Sequence, residues 1–171
     1  MAQEPFSFRL EGLEELDRML QQLPKAMGKT ALRNALKKAA VPVRDAAKDG
    51  APHGPTGDLG DSIEISGRLT KNQRRGRRRQ KDVVEIFVGS TDNKAHLVEW
   101  GTAERFRKGS GGATGKMPAE PFMTRAWVRT RRKALKIITE ELAKELVKAA
   151  ARLRKRAVKG TLSKRVEREL L

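Results

Sequence analysis

The sequence contains no cysteine, no tyrosine and only two histidines. Without cysteine, no disulfide can form and no thiolate can act as nucleophile or metal ligand, which fits a reducing compartment. Aromatic residues make up 4% and hydrophobic residues 37% of the 171-residue chain. That apolar fraction is low, yet a chain of this length can still bury a core. No window approaches the ~20 apolar residues of a membrane span. The opening Met-Ala-Gln-Glu-Pro-Phe-Ser-Phe has neither the basic start nor the apolar run of a signal peptide. The expectation is a soluble protein made in a cytoplasm, with no membrane partner.

Catalytic constellations are equally scarce. His53 and His96 have no second histidine or cysteine at ligand spacing, so no metal site is expected. Ser62 and Ser66 lie outside any nucleophile elbow. The glycines between Gly109 and Gly112 lack the Gly-Lys-Ser/Thr ending of a phosphate loop. Asp58 and Asp61 fit turn chemistry better than a carboxylate dyad. No catalytic residue, metal or cofactor is expected, and an enzyme ranks last among the function classes.

What the sequence has in excess is positive charge: 38 Lys+Arg against 21 Asp+Glu, a net +17. Residues 68–81 carry eight basic side chains and no acid, among them Arg74, Arg75, Arg77, Arg78, Arg79 and Lys81. Residues 152–171 carry eight more against Glu167 and Glu169. These two stretches hold fourteen of the seventeen net charges, which leaves a body near neutrality and two basic arms. The first arm has no aromatic to stack on bases, so it offers phosphate attraction without sequence readout. A solvated loop or one that pairs with an acidic neighbour is the competing reading.

Phe6, Phe8 and Leu10 alternate with polar neighbours as in a short strand. Leu13, Leu16, Leu20 and Leu23 then recur at helical spacing up to Pro24. A second helix is expected from about Leu32 to Ala47, kinked or divided at Pro42 and stopped by Gly50. A turn-rich loop follows, then a strand at 62–66, the basic connection, and a strand through Val84, Ile86 and Val88. These two strands predict an antiparallel hairpin with a long tip. A third short strand is expected at 95–100, then a Gly/Lys/Pro-rich loop over 102–121. The last helix runs from about Phe122 to Leu153, with Gly160 barring continuation. Leu162, Val166 and Leu170 suit one more short helix. The order predicts an α+β fold in which helices cover a small, mainly antiparallel sheet. Residues 1–153 would form one domain and 154–171 a basic C-terminal extension.

Three stretches together carry a resemblance. Ala51-Pro52, Thr56-Gly57-Asp58-Leu59 and Ser62-Ile63 form the first; Val88-Gly89 with His96-Leu97-Val98-Glu99-Trp100-Gly101-Thr102 the second. Pro118-Ala119-Glu120-Pro121-Phe122 is the third. With the opening Gly12-Leu13-Glu14-Glu15-Leu16, they resemble the tail-component, neck or tail-completion family of long-tailed phages and prophages, over about residues 8–150. Trp100 stands where that family usually has phenylalanine, and Thr124 where it often has proline. The long basic tip and the segment after Arg152 depart from the pattern.

The resemblance implies a non-enzymatic α+β subunit of a ring, sixfold by analogy with tail terminators, at the head–tail junction of the virion. Its partners would be the head connector or stopper, the tail tube and further copies of itself. Free sheet edges and a one-sided long helix make head-to-tail contacts, which close into rings, physically reasonable. Pro52, Thr56, Gly57, Leu59, Glu99, Trp100, Gly101, Thr102, Pro121 and Phe122 are the motif residues. Trp100 is expected in the core or, failing that, at a subunit seam; Phe122 is expected in the core. The loop 74–79 would reach DNA in the channel or an acidic neighbouring ring. The alternative function is a small basic nucleic-acid-binding protein whose arms make non-specific phosphate contacts.

Overall fold

The computed structural model describes residues 13–53, 58–69, 83–107, 111–113, 115–162 and 166. Within them the elements are α1 (Leu13–Gln21), α2 (Lys25–Gly50), α3 (Asp58–Asp61), β1 (Ile63–Ser66), β2 (Phe87–Ser90), α4 (Ala95–Trp100) and α5 (Phe122–Val158). The fold is α+β, as the order of patterns predicted. The strand expected at Phe6–Leu10 and most of the short helix expected around Leu162–Leu170 lie outside the described residues.

Two compact units emerge: residues up to Ala35 with those from Thr139 onward, and Leu36–Ile138. Both α2 and α5 contribute to each unit. In the first unit, α1 carries Glu14 and Glu15 in its first turn, where the helix dipole favours anions. Pro24 ends the connection after α1, and its carbonyl accepts from Met27 N–H (2.8 Å) and Gly28 N–H (3.1 Å). The same proline therefore starts α2, seven residues before the expected start. Leu16 and Leu23 pack with Ala31 and Ala35 of α2 and with Leu142, Leu146 and Ala149 of α5. The α5 positions follow i, i+4, i+7, the spacing of one helical stripe.

The second unit is built around small residues. Ala39, Val43, Ala46 and Ala47 of α2 and Ala126 and Ala134 of α5 are buried, so backbones can approach closely. Ile63 and Phe122 supply the bulk in this core, at 1% and 2% exposure. Pro42 gives no N–H to the ladder, yet α2 is one helix from Lys25 to Gly50. The expected division at Pro42 is not found. β1 and β2 pair antiparallel with Ile63 opposite Ser90 and Ser66 opposite Phe87, as the hairpin reading required. Side chains and backbone at the open end of the pair fasten this register. Ser62 Oγ donates to Leu59 O (2.6 Å) and lies 2.6 Å from Ser90 Oγ, while Thr91 N–H donates to Ser62 O (3.0 Å).

Residues 95–100 correct the sequence reading: they form α4, not a third strand. The Asp92 carboxylate accepts Lys94 N–H (2.8 Å) and its carbonyl accepts Ala95 N–H (3.2 Å). Such side-chain-to-backbone turns outcompete a strand ladder at their own position. The result matters for Glu99 and Trp100, which a strand would also have sent to opposite faces but in another direction.

Helix α5 runs five residues past the expected end, to Val158. Gly160, at φ +61°, then takes the left-handed conformation that stops it. Thr161 N–H reaches back to Arg156 O and Gly160 N–H to Ala157 O, each 3.1 Å, which satisfies two terminal carbonyls.

Candidate assembly surface

The second and third motif stretches meet in a joint at the start of α5, inside the second unit. Glu99 is 7% exposed, and its carboxylate accepts three bonds from the first turn of α5. Met123 N–H donates to Oε2 (2.9 Å), and Thr124 N–H (2.9 Å) and Thr124 Oγ1–H (2.6 Å) donate to Oε1. A helix N-terminus has orphan N–H groups and a positive dipole end, and α5 has no acid of its own in its first turn. A carboxylate from another element therefore caps it. Thr124 adds a hydroxyl bond to its backbone one.

Gly101 and Thr102 complete the joint. Gly101 has φ +69°, and a Cβ placed there would lie 2.7 Å from Met117 O and 2.8 Å from Ala119 N. No other residue fits. Thr102 N–H donates to Met117 O (2.9 Å), and Met117 N–H returns a bond to Thr102 Oγ1 (3.2 Å). Glu120 N–H donates to Val98 O (2.8 Å). The strip 101–102 and the strip 117–120 are thus laced together, and Phe122 drops into the core beside them. The loop between them carries a further bridge, Phe106 to Ala113.

The first stretch is a separate fastening. Leu59 accepts the Ser62 hydroxyl and packs at the edge of the Ile63–Phe122 cluster, and Pro52 is half-buried. Thr56 and Gly57 lie outside the described residues, as do Arg74, Arg75, Arg77, Arg78, Arg79 and Lys81. His53 and His96 are exposed. Among the described residues no group of His, Cys, Asp and Glu could hold a metal ion, and no helix is long and apolar enough to cross a membrane.

The expected core position for Trp100 is not found. At the end of α4 it is 74% exposed, because helical geometry turns Glu99 inward and its neighbour out. Trp127 is 52% and Phe106 65% exposed. Of the described aromatics only Phe122 is buried, and Trp100, Phe106 and Trp127 face outward. Trp127 also borders an apolar groove of about 370 Å³, with Leu36, Val43 and Val88 among its walls. Isolated apolar side chains on a surface need no explanation; both tryptophans and a groove do.

The near-neutral body expected from summed charge conceals a segregation. Residues 122–138 hold six basic side chains and no acid. Arg125, Arg129, Arg132 and Lys136 follow i, i+4, i+7, i+11 and fall within about 60° of arc on the helix. All four are exposed, while Ala126, Thr130 and Ala134 are buried on another side of the helix. Like charges at this spacing destabilise a helix by roughly 0.2–0.5 kcal/mol per pair. The pattern was legible in the sequence, and the two dense arms drew attention from it.

The site is thus an α+β module with a capped long helix and outward tryptophans. The family model described as "Bacteriophage HK97-gp10, putative tail-component" matches residues 14–101, just over half of the chain, and the chain belongs to that family. No curated protein and no solved structure matches it. The match covers α1 to α4 and reaches Gly101; Thr102, Pro121 and Phe122 lie beyond it. The tail-component family that the motifs resembled is therefore the right one.

Proposed function

We propose that this tail component is a non-enzymatic structural subunit of the head–tail junction. It would form a ring, sixfold as the resemblance implies, that joins the tail tube to the head connector around the DNA conduit. It would be made in the host cytoplasm and carried in the virion. The observation that supports assembly is the outward placement of Trp100 and Trp127, the latter on an apolar groove. Tryptophans concentrate binding energy at interfaces, and a groove on the same module offers a seat for a neighbour's apolar side chain. In this reading the Glu99–Gly101 joint is the rigid frame that holds Trp100 in place, not a contact itself.

The test is the mass of the purified full-length protein by light scattering across a hundredfold concentration range. A closed oligomer is expected, six subunits if the analogy holds, and Trp100→Ser with Trp127→Ser should return it to monomer while leaving its circular dichroism unchanged. A wild-type protein that stays monomeric throughout, and also in the presence of connector and tube proteins, would overturn the reading.

A further inference from the structure

We infer that the exposed row Arg125, Arg129, Arg132 and Lys136 on α5 is a track for the phosphate backbone of double-stranded DNA. It rests on the neck reading for the source of the duplex, but on its own observations for the surface. Three observations carry it. The row is regular, because every member follows the helical repeat on one exposed face. It is unbalanced: Arg125, Arg129 and Arg132 form no ion pair among the described residues, and no acid occurs between Phe122 and Ile138. It also runs against what would stabilise the helix, since it places Arg125 in the first turn, where the dipole already presents positive charge. Three arginines that break these local rules on one exposed face, without an ion pair among the described residues, point to a contact outside the chain.

The dimensions suit a duplex. From residue 125 to 136 a helix advances roughly 16 Å. Over that length one strand of a duplex presents about five phosphates, one per ~3.4 Å of axis. Four cations in a row can therefore each find a phosphate without bending either partner. On the side toward α2, Asp45, Asp49 and Lys38 share a groove with Arg129 and Lys133, and Asp45 is paired with Arg44 (2.7 Å), so that side is mixed in sign and the row's cationic face is the outer one. No base-reading group lies in the row, so contact would be blind to sequence, which suits a conduit through which any genome must pass.

The test is the salt dependence of binding of the full-length protein to a mixed-sequence duplex. Each phosphate neutralised contributes about 0.9 to the slope of log affinity against log salt. R125A/R129A/R132A should lower that slope by about 2.7. A control with the same charge loss, K37A/K94A/K116A, uses exposed lysines scattered over other elements and should lower it by less than about 1. Alanine favours helix, so the triple variant keeps α5. Equal losses in both variants would reduce the effect to net charge and overturn the inference, as would no loss in the first. Polyglutamate serves as the second probe. A dependence on the three arginines as steep as that for DNA would overturn the inference in favour of an acidic protein partner. Particle mass measured on the same samples separates the two claims: an intact ring without the slope change sinks only the track. A monomer that shows the slope change sinks only the ring.

Discussion

The two halves of α5 solve the same problem with different chemistry. Residues 139–158 bury Leu142, Leu146 and Ala149, and their first three turns pair acids with lysines. Glu141 pairs with Lys144 (2.8 Å) and Glu145 with Lys148 (3.3 Å), while Asn34 Nδ2–H donates to Glu145 Oε2 (3.0 Å). Residues 122–138 bury mostly alanine, expose Trp127 and Val128, and carry cations with no acid between them. The later half thus sets leucines in the core and pairs its acids with lysines one turn away. The earlier half leaves Trp127 and Val128 exposed and has no acid of its own among its cations. One helix thus changes character along its length: the far half carries the leucine core, and the near half a surface of rings and cations.

This contrast can be broken by substitution. Leu146→Ala removes a fully buried side chain from the leucine-rich cluster and should cost about 2–5 kcal/mol. Urea denaturation would register it as a lower midpoint with an unchanged slope. A cost under ~1 kcal/mol would mean that the far half is not the keeper of the fold. Gly101→Ala comes next, with an expected cost of about 1–3 kcal/mol from the positive φ, plus the clash with Met117 O. Its damage should appear in the melting temperature. Glu99→Gln keeps the shape but loses the charge at the N-terminus of α5, for about 1–2 kcal/mol. Faster hydrogen exchange at Met123 and Thr124, with little change in the far half, is the sharper readout.

Substitutions of exposed groups, on α4 and on the near half of α5, should behave in the opposite way. Trp100→Ser ought to alter monomer stability by less than ~0.5 kcal/mol, although it removes the largest kind of side chain. The smallest expected effect has a diagnostic sign. Arg129→Ala should stabilise by a few tenths of a kcal/mol at low salt, because it relieves repulsion from its neighbours along the row. The gain should fade in high salt. A loss of stability at low salt would mean that Arg129 has a partner within the chain, and the contrast between the halves would weaken.

Much of this was legible in the residues. The leucine spacing of α1 and the alternation at Ile63–Ile65 and Val84–Val88 led to the right pairing, although β2 begins only at Phe87 and the turn-rich stretch before β1 closes in the short helix α3. Gly160 signalled the end of α5, although the helix used the residues up to Val158 first. Ala95–Trp100 has strand-like content, and its conformation was decided by the Asp92 turn just ahead of it. Pro42 looked like a kink or a division, and the helix is continuous through it, with Ala39 and Val43 on either side buried. The role of Glu99 depends on twenty-odd intervening residues folding back so that α5 begins beside it. No local pattern encodes that distance. Trp100 was expected in the core because a buried tryptophan needs no partner, with a subunit seam as the alternative; its 74% exposure at the end of α4 removes the first option. The charged row could have been found by writing out every fourth residue; a sum over the whole body erased it.

The fastening of Thr102 to Met117, with Glu120 tied to Val98, has an evolutionary consequence. A stretch clasped at its base can lengthen, shorten or change its residues between 103 and 116 without moving the start of the helix that follows. Related phages could therefore refit this finger to a different neighbour and keep the same frame, and an epitope grafted there should leave the rest of the subunit untouched.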